Sequence, residues 1–341
     1  MSSPAKVVPI ASRPRRSRPR NPQPAPRETQ ARTLEDELAE LKLAARREGM
    51  LVALSRSLEA GRAALGWGPI ARAWKSAYFS VHSQEVDDFG LDRKYLDAVR
   101  PLVEFLYSVW WRVETSGLEH VPSEGAALIV ANHSGVLPYD GLMINLAVRR
   151  EHVARRECRM LALDMFALLP FLAPLLARGG AVRASQENGE RLLRAGELVG
   201  VFPEGVKGVG KRFEHRYKLA RFGRGGFVRL ALRTGAPIIP CAVVGAEEIH
   251  PVVGKADWVG RPLGLPYFPL TPTFPWLGPL GLLPLPTKWS IEFGDPLLTE
   301  DYGPESADDL ILVHRLAEQV RQIVQRMIDG RLRRRRSIWV G

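Results

Sequence analysis

The hydrophobic pattern along the chain opens late and is helical first. Residues 1–32 are rich in Pro, Arg and Ser and have no apolar period, which predicts disorder. Thr33 then stands as a helix N-cap, with Asp36 three residues on as in a capping box. Leu34, Leu38, Leu41, Ala45, Leu51, Leu54 and Leu58 recur at roughly helical spacing as far as Gly61. A second helical stretch runs around Trp67 to Phe79 and a third, rich in aromatics, from Tyr95 to Trp111. The first two pack on a core or lie on a membrane, and packing is the better reading.

Beyond residue 111 the period shortens. Ala126–Ala131, Met160–Leu163, Gly180–Arg183, Leu198–Phe202, Ile238–Val244 and Trp289–Phe293 read as strands. Gly141–Glu157, Glu187–Gly196 and Gly225–Thr234 read as helices between them. The alternation predicts an α/β fold, a largely parallel mixed sheet covered by helices, behind a helical N-terminal extension. A last helix starts near Ser306, with Asp309 at the capping-box position, and ends at Gly330. The expected division is a disordered basic tail (1–32), a helical extension (33–110), a catalytic domain (111–330) and a basic C-terminal tail (331–341).

Charge changes this picture by its location. The net charge is +11. Residues 1–32 hold eight cations against Glu28, and the last eleven residues add five arginines, so the body between them is nearly neutral. A nucleic-acid reader carries its cations on the folded surface, so nucleic acid is not an expected partner. Basic tails around a neutral body suit anionic headgroups, at about 1 kcal/mol per cation near the surface, or serve solubility alone. Two cysteines, Cys158 and Cys241, are too few for a disulfide framework or a cysteine-rich metal site. No apolar stretch follows the N-terminal arginines, so no secretory leader is expected. The longest apolar run, Met165 to Ala177, is interrupted by Pro170 and Pro174 and falls short of the about 20 residues a spanning helix needs. The expectation is a cytoplasmic protein, peripheral or monotopic at the inner face of a membrane.

Two constellations carry candidate chemistry. The strand Ala126–Ala131 runs into Asn132-His133-Ser134-Gly135, then Pro138-Tyr139-Asp140 and a helix. Ligand sites in α/β sheets lie at the carboxyl ends of strands. A histidine there, with a carboxylate on the same loop, makes an oriented general base: one ring nitrogen is held by Asp140 and the other takes a proton from a hydroxyl. The competing reading is a polar loop whose Asp140 caps the next helix. The second constellation, Phe202-Pro203-Glu204-Gly205 with Lys207 behind it, again follows a strand. Its acid can hold a substrate hydroxyl while Lys207 counters an anion, or it is a turn with a solvated ion pair.

Together the two segments resemble the glycerolipid acyltransferase superfamily, the lysophosphatidate acyltransferase-like proteins, near its monoacylglycerol and diacylglycerol acyltransferase-like branch. Gly179-Gly180-Ala181-Val182-Arg183 stands for the second block of that family and Ala236 to Gly245 for the fourth. The resemblance covers roughly residues 110–300. It implies direct attack of a lipid hydroxyl on an acyl thioester, without a covalent acyl-enzyme. His133 would be the base, Asp140 its orienting partner, Glu204 and Gly205 would position the acceptor, and Arg183 would contact a polar or phosphate group. Asn132, Ser134, Gly135, Phe202, Pro203 and Lys207 complete the implied substrate site. The partners implied are an acyl-CoA or acyl carrier protein donor, as co-substrate rather than cofactor, a glycerolipid acceptor and a membrane surface. No cofactor and no metal are implied; oligomeric state is not legible. This chain departs from the family pattern by placing six residues rather than four between His133 and Asp140, and by Val206-Lys207 where many members have Thr-Arg.

Two apolar segments suit a lipid. Met165–Ala177 could line an acyl channel or dip into a bilayer surface. Residues 262–286 hold eight prolines and cannot form a regular helix; exposed, Phe268, Phe274 and Trp276, with Trp258 upstream, would anchor at an interface, and buried they would pack as a stiffened excursion. Three other functions fit less well. Gly205 to Arg212 matches a P-loop except at the last position, where Arg212 replaces the required hydroxyl. No Gly-x-Ser-x-Gly elbow supports a serine hydrolase. A non-catalytic lipid-binding scaffold would follow if the widened His–Asp spacing had abolished turnover.

Overall fold

Five small and branched apolar residues, Ala127–Ala131, form a strand buried along its whole length, as a strand covered on both faces must be. It is β2 of a seven-stranded sheet. The computed structural model describes residues 86–134, 137–162, 172–209, 211–256, 258 and 268–341. The other strands of the sheet are β1 (Glu114–Ser116), β3 (Cys158–Ala162), β4 (Val182–Arg183), β5 (Leu198–Val201), β6 (Ile238–Val244) and β9 (Ser290–Phe293). β7 (Gly254–Lys255) and β8 (Pro269–Leu270) form a separate antiparallel ribbon. The order is β1-β9-β6-β2-β5-β3-β4, and every neighbouring pair is parallel except β6 with β9. The fold is therefore the mixed, mainly parallel α/β sheet expected.

Among the described residues the α-helices are α1 (Arg93–Phe105), α2 (Tyr139–Glu151), α3 (Leu172–Arg178), α4 (Gln186–Arg194), the single turn α5 (Val206–Val209), α6 (Gly226–Thr234) and α7 (Leu310–Arg334). Side chains alternate across β2 and divide the core. Leu128 and Val130 join Leu192, Leu193, Val228, Leu232 and Val320 on one face, and Ala127, Ile129 and Ala131 join Met143, Ile144, Ala147 and Trp289 on the other. Helices thus cover both faces, as parallel pairing requires.

Three findings differ from the sequence expectations. β1 was not foreseen, because Glu114-Thr115-Ser116 is polar; as an edge strand pairing only with β9 it needs no apolar alternation. α1, assigned to the extension, belongs with the sheet. Asp92 caps its start and holds Arg178 at 2.9 Å, and a π-helical turn at Leu106–Trp110 leads to the fully buried Trp111, stacked on Trp289 at 4.5 Å. At the other end α7 runs past Gly330 to Arg334, and Asp309 is itself the N-cap, accepting from the amides of Ile311 and Leu312. The segment expected as a tail is docked: Arg331 pairs with Glu292, and Arg335 reaches the buried Glu248 at 2.7 Å and the carbonyls of Lys288 and Ile338. Counting charge alone could not locate the acids waiting on the fold. The expected tail over 1–32 and the helices up to Phe79 lie outside the described residues.

Gly117 turns the chain after β1 with φ +74°, and a Cβ there would sit 1.9 Å from the Phe293 carbonyl oxygen. Gly117→Ala is expected to lower stability by more than about 1 kcal/mol, read as a reduced denaturant midpoint; an unchanged midpoint would contradict this packing.

Candidate active site

Pairing along β2 stops at Ala131, and Asn132 continues it with its side chain. Its amide donates to the Val243 carbonyl (2.9 Å) and accepts from the Val243 amide (2.8 Å). Both polar ends of Asn132 are thereby engaged in holding the strand end against β6. The next residue, His133, is buried, and its Nδ1 lies 2.7 Å from Asp140 Oδ2. Asp140 sits in the first turn of α2, so the loop and helix start close on themselves around one carboxylate. The same Oδ2 accepts from the Ser134 amide (2.9 Å) and hydroxyl (3.4 Å), and Oδ1 from the Gly141 amide (2.8 Å). The catalytic and capping readings of Asp140 are thus compatible, since one oxygen faces the imidazole while the other serves the helix. A carboxylate only accepts, so Nδ1 carries the proton and Nε2 presents a lone pair.

A second buried carboxylate fixes the His133 backbone. Glu204 Oε1 accepts from the His133 amide (3.2 Å), and Oε2 accepts from the Ala220 amide (2.7 Å) and pairs with Lys211 Nζ (2.8 Å). Phe202 lies flat on the His133 ring, centroids 4.4 Å apart at 18°. Gly208 leaves no space for a side chain: a Cβ would come 2.9 Å from Glu204 Cβ and 3.0 Å from His133 Cβ. The segment after β5 is therefore not a phosphate cradle. It makes one helical turn, α5, and Lys211 is committed to Glu204 and Glu247 (3.3 Å). A P-loop needs a full helix at that point and a free lysine.

In front of His133 opens a cavity of about 850 Å³. Its wall includes Tyr95, Leu96, Val99, Leu102 and Val103 on one face of α1, at i, i+3 and i+4 spacing, and Leu106 at the start of the π-helical turn, with Leu142, Met160, Leu175, Leu176, Phe202 and Phe227. Cys158 also borders it, but burial pushes its thiol up to about 12, so no thiolate is available as a nucleophile. The Ser134 hydroxyl turns to Asp140, which leaves no serine–histidine pair on this loop. Burial likewise raises the Tyr139 phenol, which borders the cavity next to Trp111.

The sequence-derived site residues fall into groups. His133, Phe202, Pro203 and Gly205 line the cavity, and Gly205 adopts φ +56°. Asn132, Ser134, Asp140 and Glu204 are buried behind or beside it in the contacts just given. Arg183, at the end of the edge strand β4, and Lys207, on α5, are exposed and are not among the lining residues. Gly135 and residues 163–171 lie outside the described residues. Sequence reasoning missed Lys211, Glu247 and the α1 wall. Lys211 was visible within the supposed P-loop; Glu247 comes from a segment after β6 that carries no motif.

This geometry agrees with what the chain is similar to. A family model described as Acyltransferase matches residues 112–244. An uncharacterized protein of Mycobacterium tuberculosis is 52% identical over 257 residues, 75% of this chain and 72% of that protein. The chain belongs to the acyltransferase family. More distant relatives of this acyltransferase include a human protein named DGAT1/2-independent enzyme synthesizing storage lipids, 27% identical over 68% of this chain and 67% of its own length. Human 1-acyl-sn-glycerol-3-phosphate acyltransferase alpha is 29% identical over 43% of this chain and 50% of its own.

Two carboxylates share the one ammonium of Lys211, and burial, foremost, pushes Glu247 up to about 7 from an ordinary 4.5. A raised folded-state value means that the native protein holds this proton more tightly than the unfolded chain does. The contribution is thus fully present below pH ~4.5 and lost as pH rises to ~7. Denaturant midpoints should fall more steeply over that window in the wild type than in Glu247→Gln; parallel profiles would contradict the assignment.

Proposed function

We propose that this acyltransferase moves a fatty acyl group from an acyl thioester, carried by coenzyme A or acyl carrier protein, to the hydroxyl of a glycerolipid such as a lysophospholipid or acylglycerol. One observation carries the reading: a histidine whose Nδ1 is held by a buried aspartate lies in the wall of a large apolar cavity. The cavity takes the acyl chain and the thioester carbonyl lies at His133. Nε2 accepts the proton of the acceptor hydroxyl as its oxygen attacks the carbonyl carbon. The C–S bond then breaks, and the departing thiolate takes the proton back from the imidazolium, which Asp140 stabilises meanwhile. Glu204 acts by holding His133 and the Ala220 loop in place rather than by touching the acceptor. The names of the two human relatives, one for storage-lipid synthesis and one for an acylglycerol phosphate acceptor, support a glycerolipid.

The substrates are amphiphiles, and the surface is built to meet them. No helix among the described residues is long and apolar enough to cross a membrane. Trp258, Trp276 and Leu280 are 81%, 78% and 69% exposed, with Leu277 and Leu283 also open to solvent. Leu283 borders the same cavity as His133. Exposed Trp and Leu side chains, with Leu283 at the cavity itself, suit a peripheral protein whose apolar side chains enter the interface at the inner face of a membrane.

His133→Ala should reduce acceptor-dependent thiol release from palmitoyl-CoA by about 10²–10⁴-fold, and Asp140→Asn by somewhat less, with the melting transition retained. Turnover that survives His133→Ala would place the base elsewhere. Trp276→Ala combined with Leu280→Ser should weaken sedimentation with phosphatidylglycerol vesicles several-fold while turnover of a water-soluble thioester stays unchanged; undiminished sedimentation would exclude these side chains as the contact.

A further inference from the structure

The cavity wall carries one permanent charge that the acyl-transfer reading does not use. Among the described residues lining it, Arg224 is the only lysine, arginine, aspartate or glutamate. It makes no hydrogen bond or ion pair with any described residue; Arg221 is engaged with His314, Arg216 with Glu248 and Arg233 with Glu190, while the buried Nε of Arg229 has no hydrogen-bond partner among the described residues. The loop bearing it is pinned on both sides. Before it, the Ala220 amide is tied to Glu204 and Phe222 is buried edge-on against Phe227. After it, Gly225 packs so closely on α7 that a Cβ would come 2.4 Å from Val313. Gly223 abuts the turn that holds His133, a Cβ there lying 3.5 Å from the Pro203 carbonyl oxygen. Arg224 is exposed, and a guanidinium at the edge of the cavity with no acid to neutralise it among the described residues is suited to an anionic group on a molecule whose apolar part fills the cavity.

We propose that Arg224 forms a phosphate-ester subsite of the cavity, positioned to hold the headgroup phosphate of a lysophospholipid acceptor. The proposal rests on the acyl-transfer reading for the identity of the amphiphile. It moves the anion contact from Arg183 and Lys207, which are not among the lining residues, to a residue the sequence motifs do not mark. The shared chemistry is a phosphate ester, which the acceptor supplies as a headgroup and a coenzyme A donor supplies on its nucleotide.

The test measures binding, not turnover, on the full chain by tryptophan fluorescence with four probes. These are lysophosphatidate, monoacylglycerol of the same chain, palmitoyl-CoA and palmitoyl-N-acetylcysteamine, a thioester without phosphate. Arg224→Gln should weaken lysophosphatidate about 10-fold or more, the loss of one charge-assisted contact. Monoacylglycerol should remain within about twofold, and Arg224→Lys should restore part of the loss. A loss confined to palmitoyl-CoA, with its phosphate-free counterpart unchanged, would keep the phosphate subsite but overturn its assignment to the acceptor. Equal effects on phosphate-bearing and neutral probes, or a wild type that binds both kinds alike, would overturn the subsite altogether. Phosphate-selective binding without acyl transfer by the wild type would refute the proposed function and leave the subsite standing.

Discussion

The site depends on one buried carboxylate. Asp140 closes the loop between β2 and α2 by taking the His133 imidazole and the Ser134 amide on one oxygen and the Gly141 amide on the other. These three donors, with the Ser134 hydroxyl as a fourth, fix the ring's orientation and its tautomer at once. Everything that surrounds the loop acts to keep that arrangement. Asn132 fastens the strand end, Phe202 covers one ring face, and Glu204 holds the His133 backbone to the loop beyond α5. The longer spacing between histidine and aspartate does not loosen the pair, because α2 starts directly after Pro138 and carries Asp140 in its first turn.

Polar and apolar tasks are separated in space. Behind His133 lies a buried network of Glu204, Lys211 and Glu247 in which one ammonium serves two acids. Removing one member of such a network strands the others and costs roughly 3–5 kcal/mol, so its place close to the His133 loop ties local order there to the integrity of the fold. In front lies an apolar cavity, whose lining asks for a long hydrocarbon rather than a polar metabolite. The imidazole stands where the two meet.

Much of this was legible in the sequence because the responsible residues are local. β2, His133, Asp140 and the Phe202 to Gly205 turn follow one another in short stretches where apolar runs end in polar loops. What was not legible depends on residues distant in the chain. Nothing about Asp92 announces that it will hold Arg178, or about Glu248 that it will hold Arg335 across the molecule. The α1 wall was visible as a helix, but its apolar face could not be told from an ordinary core-packing face without the void it borders. Glu204 was chosen for the right turn and given a substrate contact, while its carboxylate is used up by two amides and a lysine. Burial, which a one-dimensional pattern does not contain, decides between those roles.

The most direct measurement is a crystal structure with a non-hydrolysable thioether analogue of palmitoyl-CoA. The account predicts the acyl chain between α1 and Met160, with the carbon that replaces the thioester carbonyl beside His133 Nε2 and the His133–Asp140 hydrogen bond intact. An acyl chain bound elsewhere, with this cavity closed or empty, would contradict it.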